Sequence, residues 1–423
     1  MSNQEQIAAM VSALAAMESV SDDERIVLVG ELEGLKSVAA AAQARFTDAF
    51  AVSQRARLLE AGSTSGEAAR SITGQVGLAR RDSSHKGSRH VGLAAALVRE
   101  MPRVLAVLGR GQTSEWRCTV IARETAHLSP ADRARIDEAI APVLPGWGDA
   151  RTEREVRAWV HRLDAQGAAA RAAKAAVDRR VSIRPAPDCM AYVTALLPMA
   201  QGVAVFGALH RAALAGAVDP GERRSKGQIM ADELVRRVLT PGAGQPEVPG
   251  IELHVVMTDR ALLDGDNEPA QVVGYGPVPA PVARELVRAD SKTRVWVRRL
   301  YTNPETGELA GTDARKRDFP DVVRQFFLVR DQVCRTPWCG APIRHVDHAV
   351  AVAKGGVTDL RNGNGRCARC NLTKDLPGWV SVLRDGAIVT STPTGQQYAS
   401  RPPRPPRSDS WESADDLPAT TGG

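Results

Sequence analysis

The chain has 423 residues, 43% of them hydrophobic, and a formal net charge of +6. This composition supplies enough apolar side chains for folded cores and excludes a wholly disordered chain, and the basic balance is compatible with a nucleic-acid partner. The sequence contains no apolar run of 18 or more residues, no glycine-rich phosphate-binding motif and no N-terminal signal segment. We therefore do not expect a membrane-spanning, an ATP-driven or a secreted protein. The expected location is the cytoplasm.

Residues 1–178 are predicted to form a helical N-terminal domain. Ser21 and Glu24 form a capping-box pattern at the start of a long amphipathic helix. Further helices are predicted over 92–108, 113–127 and 129–143, and the basic stretch 80–90 is predicted as an exposed turn, with a nucleic-acid contact as the alternative. Apolar residues recur in the first helix at spacings of three and four, namely Leu28, Leu32, Leu35, Ala39, Ala42, Phe46 and Ala49.

Residues 179–318 are predicted to form an α+β middle domain. Strands are expected at 181–184 and 190–197, followed by helices at 201–215 and 227–239 and by a linker rich in proline and glycine at 240–249. Residues 251–257 alternate between apolar and polar side chains, as a half-buried strand does, and another strand is expected at 294–301. We find no chemical motif in this region.

Four of the six cysteines lie close together near the C-terminus. They form two pairs, Cys334-x4-Cys339 and Cys367-x2-Cys370, which predict a tetrahedral structural zinc site made of four thiolates. The other two, Cys118 and Cys189, stand alone and are expected to be buried or free thiols, as suits a reducing compartment. Residues 315–384 carry 13 Lys and Arg against 6 Asp and Glu, so a polyanion is expected to dock here.

The segment that these pairs enclose resembles the HNH endonuclease family, whose core is a ββα-metal fold. The residues that carry the resemblance are Asp347, His348, Asn362, Cys367, Cys370, Asn371 and Lys374. The chain reads Asn-Gly-Asn-Gly where the family often has Asn-Leu, so Asn364 is an alternative to Asn362. The resemblance implies a zinc-stapled ββα-metal (HNH) module over residues 319–390 that hydrolyses DNA and leaves 5′-phosphate and 3′-hydroxyl ends.

The chemistry of phosphodiester hydrolysis suggests a role for each of these side chains. His348 is the predicted general base, and Asp347 and Asn371 are the predicted oxygen ligands of a catalytic Mg²⁺ or Mn²⁺. Since neighbouring residues of a strand point to opposite faces, Asp347 and His348 can share a site only if the strand bends or ends there. Asn362 is expected to orient the loop or the imidazole. The predicted DNA contacts are Lys374, Arg366, Arg369 and Lys354.

The remaining sequence adds a second resemblance and two open questions. The chain is similar to actinobacterial proteins that join a helical domain of unknown function 222 (the 13E12-repeat family) to an HNH domain. The resemblance spans roughly residues 20 to 380 and is carried by 114–117, 179–188, 256–259 and 334–339.

A zinc-stabilised nucleic-acid-binding module of mobile-element origin without catalysis is the alternative function, and homo-oligomerisation is left open. Residues 391–423, rich in proline and arginine and then acidic, are predicted to be a disordered tail.

Overall fold

The computed structural model describes residues 2–18, 21–164, 167, 174–216, 221–240, 253–288, 300–302, 309–312, 319–350, 360 and 362–403. The chain divides into two compact units. Unit 1 comprises Met1–Ala165 with two short later segments, Asp375–Trp379 and Thr392–Thr394, and unit 2 comprises the rest. The described residues are mainly helical with small antiparallel sheets, as expected.

The described part of unit 1 is built from eight α-helices. They are α1 (Asn3–Ala15), α2 (Asp22–Glu60), α3 (Ser65–Ala79), α4 (Ser84–Ala95), α5 (Pro102–Gly109), α6 (Glu115–Glu124), α7 (Pro130–Ile140) and α8 (Asp149–Leu163). Six of them begin at a serine or threonine whose hydroxyl accepts a hydrogen bond from the backbone N–H three residues later. These caps satisfy N–H groups that have no partner within the helix, so the helix starts are encoded locally.

A single apolar core holds α2 and α4 to α8 together. It includes Ala40 and Ala41 of α2, Leu97, and residues of the later helices. Asp137 of α7 reaches the start of α5, where its two carboxylate oxygens accept hydrogen bonds from the backbone N–H groups of Arg103 at 3.0 Å and Val104 at 2.8 Å. The N-terminus of α5 is therefore capped by a side chain from another helix.

Two predictions for unit 1 need correction. The basic stretch predicted as a turn is mostly helical, because Ser83 caps α4. Glycine on both helices lets α3 and α4 approach closely, since a Cβ at Gly87 would lie 2.1 Å from the Thr73 carbonyl oxygen. The helix predicted over 92–108 is interrupted by a π-helical turn, Ala96–Glu100, and α5 then starts at Pro102, which has no N–H to continue the earlier helix.

Unit 1 also contains residues from late in the chain. The buried indole Nε1 of Trp379 donates a hydrogen bond to the Ser71 hydroxyl at 3.0 Å. The Thr394 hydroxyl donates to the Gln75 side-chain oxygen at 2.6 Å. Both acceptors lie on α3, so this helix is completed by residues far away in sequence.

The first part of unit 2 contains small sheets and helices. Its elements are β1 (Arg180–Pro185), β2 (Ala191–Leu196), α9 (Met199–Gly216), α10 (Lys226–Leu239), β3 (Val255–Val256), α11 (Asp259–Leu263), β4 (Ala270–Val272), β5 (Gly276–Val278), α12 (Ala280–Arg288), β6 (Leu300–Thr302) and β7 (Leu309–Thr312). The pairs β1–β2, β3–β4–β5 and β6–β7 are antiparallel. The strand predicted over 251–257 is described from residue 253 and is limited to β3, and of the strand predicted over 294–301 only residues 300 and 301 are described.

The C-terminal part of unit 2 positions the cysteine pairs. Its elements are α13 (Phe319–Asp331), β8 (His345–His348), β9 (Gly363–Arg366), α14 (Ala368–Lys374), β10 (Val380–Arg384), β11 (Ala387–Ser391) and β12 (Gln397–Ser400). Strands β8 and β9 pair antiparallel, with His345 opposite Arg366 and His348 opposite Gly363. Glycine at position 363 lets the Phe327 ring pack directly against the backbone of β9, because a Cβ at Gly363 would lie 2.2 Å from that ring.

The sheet β10–β11–β12 reaches further along the chain than expected. Strand β12 pairs with β11, with Ser391 opposite Gln397 and Ile388 opposite Ser400. The prediction of a disordered tail from residue 391 is therefore wrong for this strand, and residues 404–423 lie outside the described residues. Among the helices that the structure describes, none has the length and apolarity needed to cross a bilayer.

Candidate metal centre and active site

The four cysteines of the two pairs meet at one point. Cys334 and Cys339 lie in the loop after α13, Cys367 precedes α14 and Cys370 lies in its first turn. All four sulfur atoms lie within 4.8 Å of one another. The Sγ of Cys339 is 3.8 Å from that of Cys367 and 3.7 Å from that of Cys370.

These distances fit a zinc ion. Four sulfurs at the corners of a tetrahedron with Zn–S bonds of about 2.3 Å are separated by about 3.8 Å. Hydrogen bonds among the four sulfurs lower the pKa of the Cys334 thiol and raise the pKa of the Cys339 thiol. The cysteines can therefore hold a zinc ion, as their spacing predicts.

A buried carboxylate that the sequence analysis missed anchors this loop. Asp331, the last residue of α13, is fully buried. Its carboxylate accepts hydrogen bonds from the Arg330 Nε at 2.8 Å, the Arg335 Nη1 at 3.1 Å and the Gly365 backbone N–H at 2.6 Å. It therefore ties α13 to β9 and to the loop that begins with Cys334. The sequence carries no spacing signal that marks an acid at this position.

The strand β8 ends at His348, and this brings two predicted site residues together. The Asp347 Oδ1 accepts a hydrogen bond from the His348 backbone N–H at 2.7 Å and lies 3.8 Å from the His348 Nδ1. Because the strand ends here, the neighbouring side chains of Asp347 and His348 can share one site. Both side chains keep part of their surface exposed among the described residues.

Lys374 lies beside this carboxylate and not on the surface. Its ammonium is buried and lies 3.0 Å from the Asp347 Oδ2. Partial burial raises the pKa of the Asp347 carboxyl, but the hydrogen bonds from Lys374 and the His348 backbone, with the positive charge of Lys374, outweigh it and lower the pKa overall. The predicted phosphate contact of Lys374 is thus corrected to an ion pair within the site.

Asn371 contributes an acceptor that has no donor among the described residues. It lies one turn before Lys374 on α14, hence on the same helix face. Its Oδ1 is buried and accepts no hydrogen bond from the described part of the chain. An unpaired buried oxygen costs free energy, and a cation would remove that cost. The carboxylate of Asp347 and the amide oxygen of Asn371 are of the ligand type that a hard divalent cation prefers.

Both asparagines of the Asn-Gly-Asn-Gly stretch support the end of β8. The Asn362 side chain bonds the backbone N–H and carbonyl of Val350, each at 2.9 Å. The Asn364 Nδ2 donates to the Asp347 carbonyl at 2.9 Å. Asn362 thus holds the backbone just after His348, and Asn364 holds the backbone of Asp347. The orienting role predicted for a single asparagine is shared by these two.

The predicted DNA contacts fare differently from one another. Arg366 is only 2% exposed, and its guanidinium donates to the Asn364 Oδ1 at 2.7 Å and the Thr336 hydroxyl at 3.2 Å. It supports the fold and is not placed to contact a phosphate, which corrects that prediction. Arg369 lies half-buried on α14. Lys354 lies outside the described residues.

Comparison with known proteins identifies a family for the larger part of the chain. A family described as "Domain of unknown function (DUF222)" matches residues 36–319. No curated protein and no solved structure matches. The match ends before the first cysteine pair, so it does not extend to the candidate site. Because it spans about two thirds of the 423 residues, the chain belongs to the DUF222 family.

Proposed function

We propose that this protein is a metal-dependent HNH endonuclease that hydrolyses DNA phosphodiester bonds, with its active site in the ββα unit formed by β8, β9 and α14. One observation carries the proposal. Asp347, His348 and the unpaired oxygen of Asn371 lie on one strand end and the helix packed against it, beside four cysteines spaced for zinc. A domain that only folded around zinc would need the cysteines but not the other three.

The side chains suit the steps of hydrolysis. His348 would accept a proton from the attacking water through the ring nitrogen other than the one facing Asp347. The water oxygen forms a bond to phosphorus, the bond from phosphorus to the 3′-oxygen breaks, and that oxygen takes up a proton from solvent. Asp347 would stabilise the imidazolium by its charge.

A divalent ion held by Asp347 and Asn371 would supply charge neutralisation at the phosphate. Lys374 favours the ionised form of the Asp347 carboxyl, because its ammonium helps to lower the pKa of that group. An ionised carboxylate is the form that a divalent cation binds. Asn362 and Asn364 hold the backbone on both sides of the site, so they act as positioning residues.

The ion pair between Lys374 and Asp347 favours a second candidate function. At 3.0 Å, the ammonium already compensates the negative charge that a metal ion would use. A zinc-stabilised nucleic-acid-binding module without catalysis would retain this pair permanently. The two functions differ in whether a divalent ion changes the site.

The experiment that separates them uses supercoiled plasmid with purified protein, in Mg²⁺, Mn²⁺ or EDTA. We expect nicking that needs the divalent ion and is lost in His348→Ala, with zinc content unchanged. His345→Ala is the matched control, since His345 is an exposed histidine of the same strand. Salt-sensitive DNA binding without cleavage in any metal would leave the binding-module function. Equal cleavage by both variants would refute the assignment of His348.

A further inference from the structure

The long helix α2 has two apolar faces, and only one of them enters the core of unit 1. Ala40, Ala41 and Ala44 are buried there. The stripe that the sequence pattern singles out lies on another face. Three of its large side chains are exposed, Leu32 by 40%, Leu35 by 42% and Phe46 by 67%, and Leu28 is half-buried. We call these positions the heptad stripe; they are Leu28, Leu32, Leu35, Ala39, Ala42, Phe46 and Ala49.

The spacing of the heptad stripe is that of a coiled-coil seam. Its steps alternate between four and three residues without interruption over three heptads. With Leu32, Ala39 and Phe46 at the first position of each heptad (a), the remaining members fall on the fourth (d). A stripe of this length runs about 30 Å along the helix. Isolated exposed apolar residues need no explanation, but an unbroken seam on one helix points to a partner helix.

The charges beside the seam indicate which partner. In this register Glu31 lies at position g, directly before the a residue Leu32. Lys36 lies at position e, directly after a d residue. In a parallel two-stranded coiled coil, a g residue faces the e residue five positions later on the other helix. Glu31 of one copy would therefore face Lys36 of the other, twice by symmetry.

The contact that Lys36 makes within its own helix does not oppose this. Its Nζ lies 2.7 Å from the Glu33 carboxylate, and both side chains are largely exposed. An exposed pair of this kind contributes little free energy, so Lys36 can change partner at small cost.

We propose that the heptad stripe of α2 binds the same stripe of a second copy of this chain, forming a parallel two-stranded coiled coil. The core face of α2 remains inside its own unit while the seam makes the dimer. The dimer uses residues of unit 1 alone and does not depend on the endonuclease function.

The first test is the molar mass of the full chain in solution, measured by light scattering after gel filtration. We expect a dimer for the wild type and a monomer for Leu35→Glu, which places a charge in the seam. Val27→Glu is the matched control, because Val27 is an apolar residue of the same helix, is 61% exposed and lies outside the stripe. Circular dichroism of both variants checks that a change in molar mass does not come from loss of helix, and we expect unchanged spectra. A monomeric wild type, or a Leu35→Glu variant that stays dimeric, would overturn the proposal.

The second test addresses the parallel register. Glu31→Lys sets lysine against lysine and Lys36→Glu sets glutamate against glutamate, so each variant alone should dimerise roughly tenfold more weakly at low salt, as two attractive pairs become repulsive. An equimolar mixture restores both attractive pairs and should form a heterodimer with the wild-type affinity. If the mixture dimerises no better than the separate variants, the parallel arrangement is wrong.

Discussion

Replacing Asp331 should strongly destabilise the C-terminal part of unit 2. The carboxylate is fully buried and accepts from two guanidinium groups and one backbone N–H. Asp331→Asn keeps the shape but removes the negative charge between Arg330 and Arg335, both of which are nearly inaccessible to water. Breaking a buried ion pair from one side costs about 3–5 kcal/mol, because the remaining charge is left without compensation.

The assay is urea unfolding of the zinc-loaded protein, followed by release of zinc to a chromogenic chelator. We expect Asp331→Asn to lose zinc at clearly lower urea than the wild type, with a loss of about 3 kcal/mol in unfolding free energy. Asp385→Asn is the control, since Asp385 is an exposed turn residue with a φ of 50° that asparagine also tolerates. A change below about 1 kcal/mol at position 331 would mean that the two arginines find other partners and that Asp331 does not anchor this loop.

Three further predictions follow from burial and packing. Burial raises the pKa of the Cys118 thiol to about 12, so little of its thiolate forms at pH 8. A thiol reagent should therefore modify exposed Cys189 first, the metal-site cysteines after chelation of the metal, and Cys118 only on denaturation. Early reaction of Cys118 would contradict its burial. Gly363→Ala should destabilise by about 1–3 kcal/mol, because its Cβ would lie 2.2 Å from the Phe327 ring, and Phe327→Leu should recover part of this loss in a denaturant-based double-mutant cycle. Asp137→Ala should cost about 1–2 kcal/mol in thermal unfolding, since it removes both hydrogen bonds from the start of α5, and an unchanged melting temperature would count against that role.

Features that depend on neighbouring residues could be predicted from the sequence. The cap at Ser21 starts α2 as expected, and α7 starts at Pro130, close to the start of the helix predicted over 129–143. The cysteine pairs also signal a metal site by their spacing alone. Pro102 was an available signal that the helix predicted over 92–108 should break, since proline is disfavoured inside a helix.

Features that depend on tertiary packing could not be predicted. Periodicity revealed the apolar stripe of α2, but the core formed on the alanine face, because close helix packing selected the small side chains. Charged residues are usually exposed, so the sequence predicts DNA contacts for Arg366 and Lys374, whereas the structure buries both against polar partners. Asp331 escaped notice for the same reason, since a single acid shows its role only once its partners are folded around it.

The late segments of unit 1 have a consequence for synthesis of the protein. Ser71 and Gln75 receive their hydrogen bonds from Trp379 and Thr394, so α3 emerges from the ribosome long before its partners. At about 5–20 residues per second, the 308 positions that separate Ser71 from Trp379 correspond to a delay of roughly 15–60 s. During that interval the nascent helical unit carries an unfinished surface that a chaperone could occupy. A chain terminated shortly before Trp379 would keep that surface permanently.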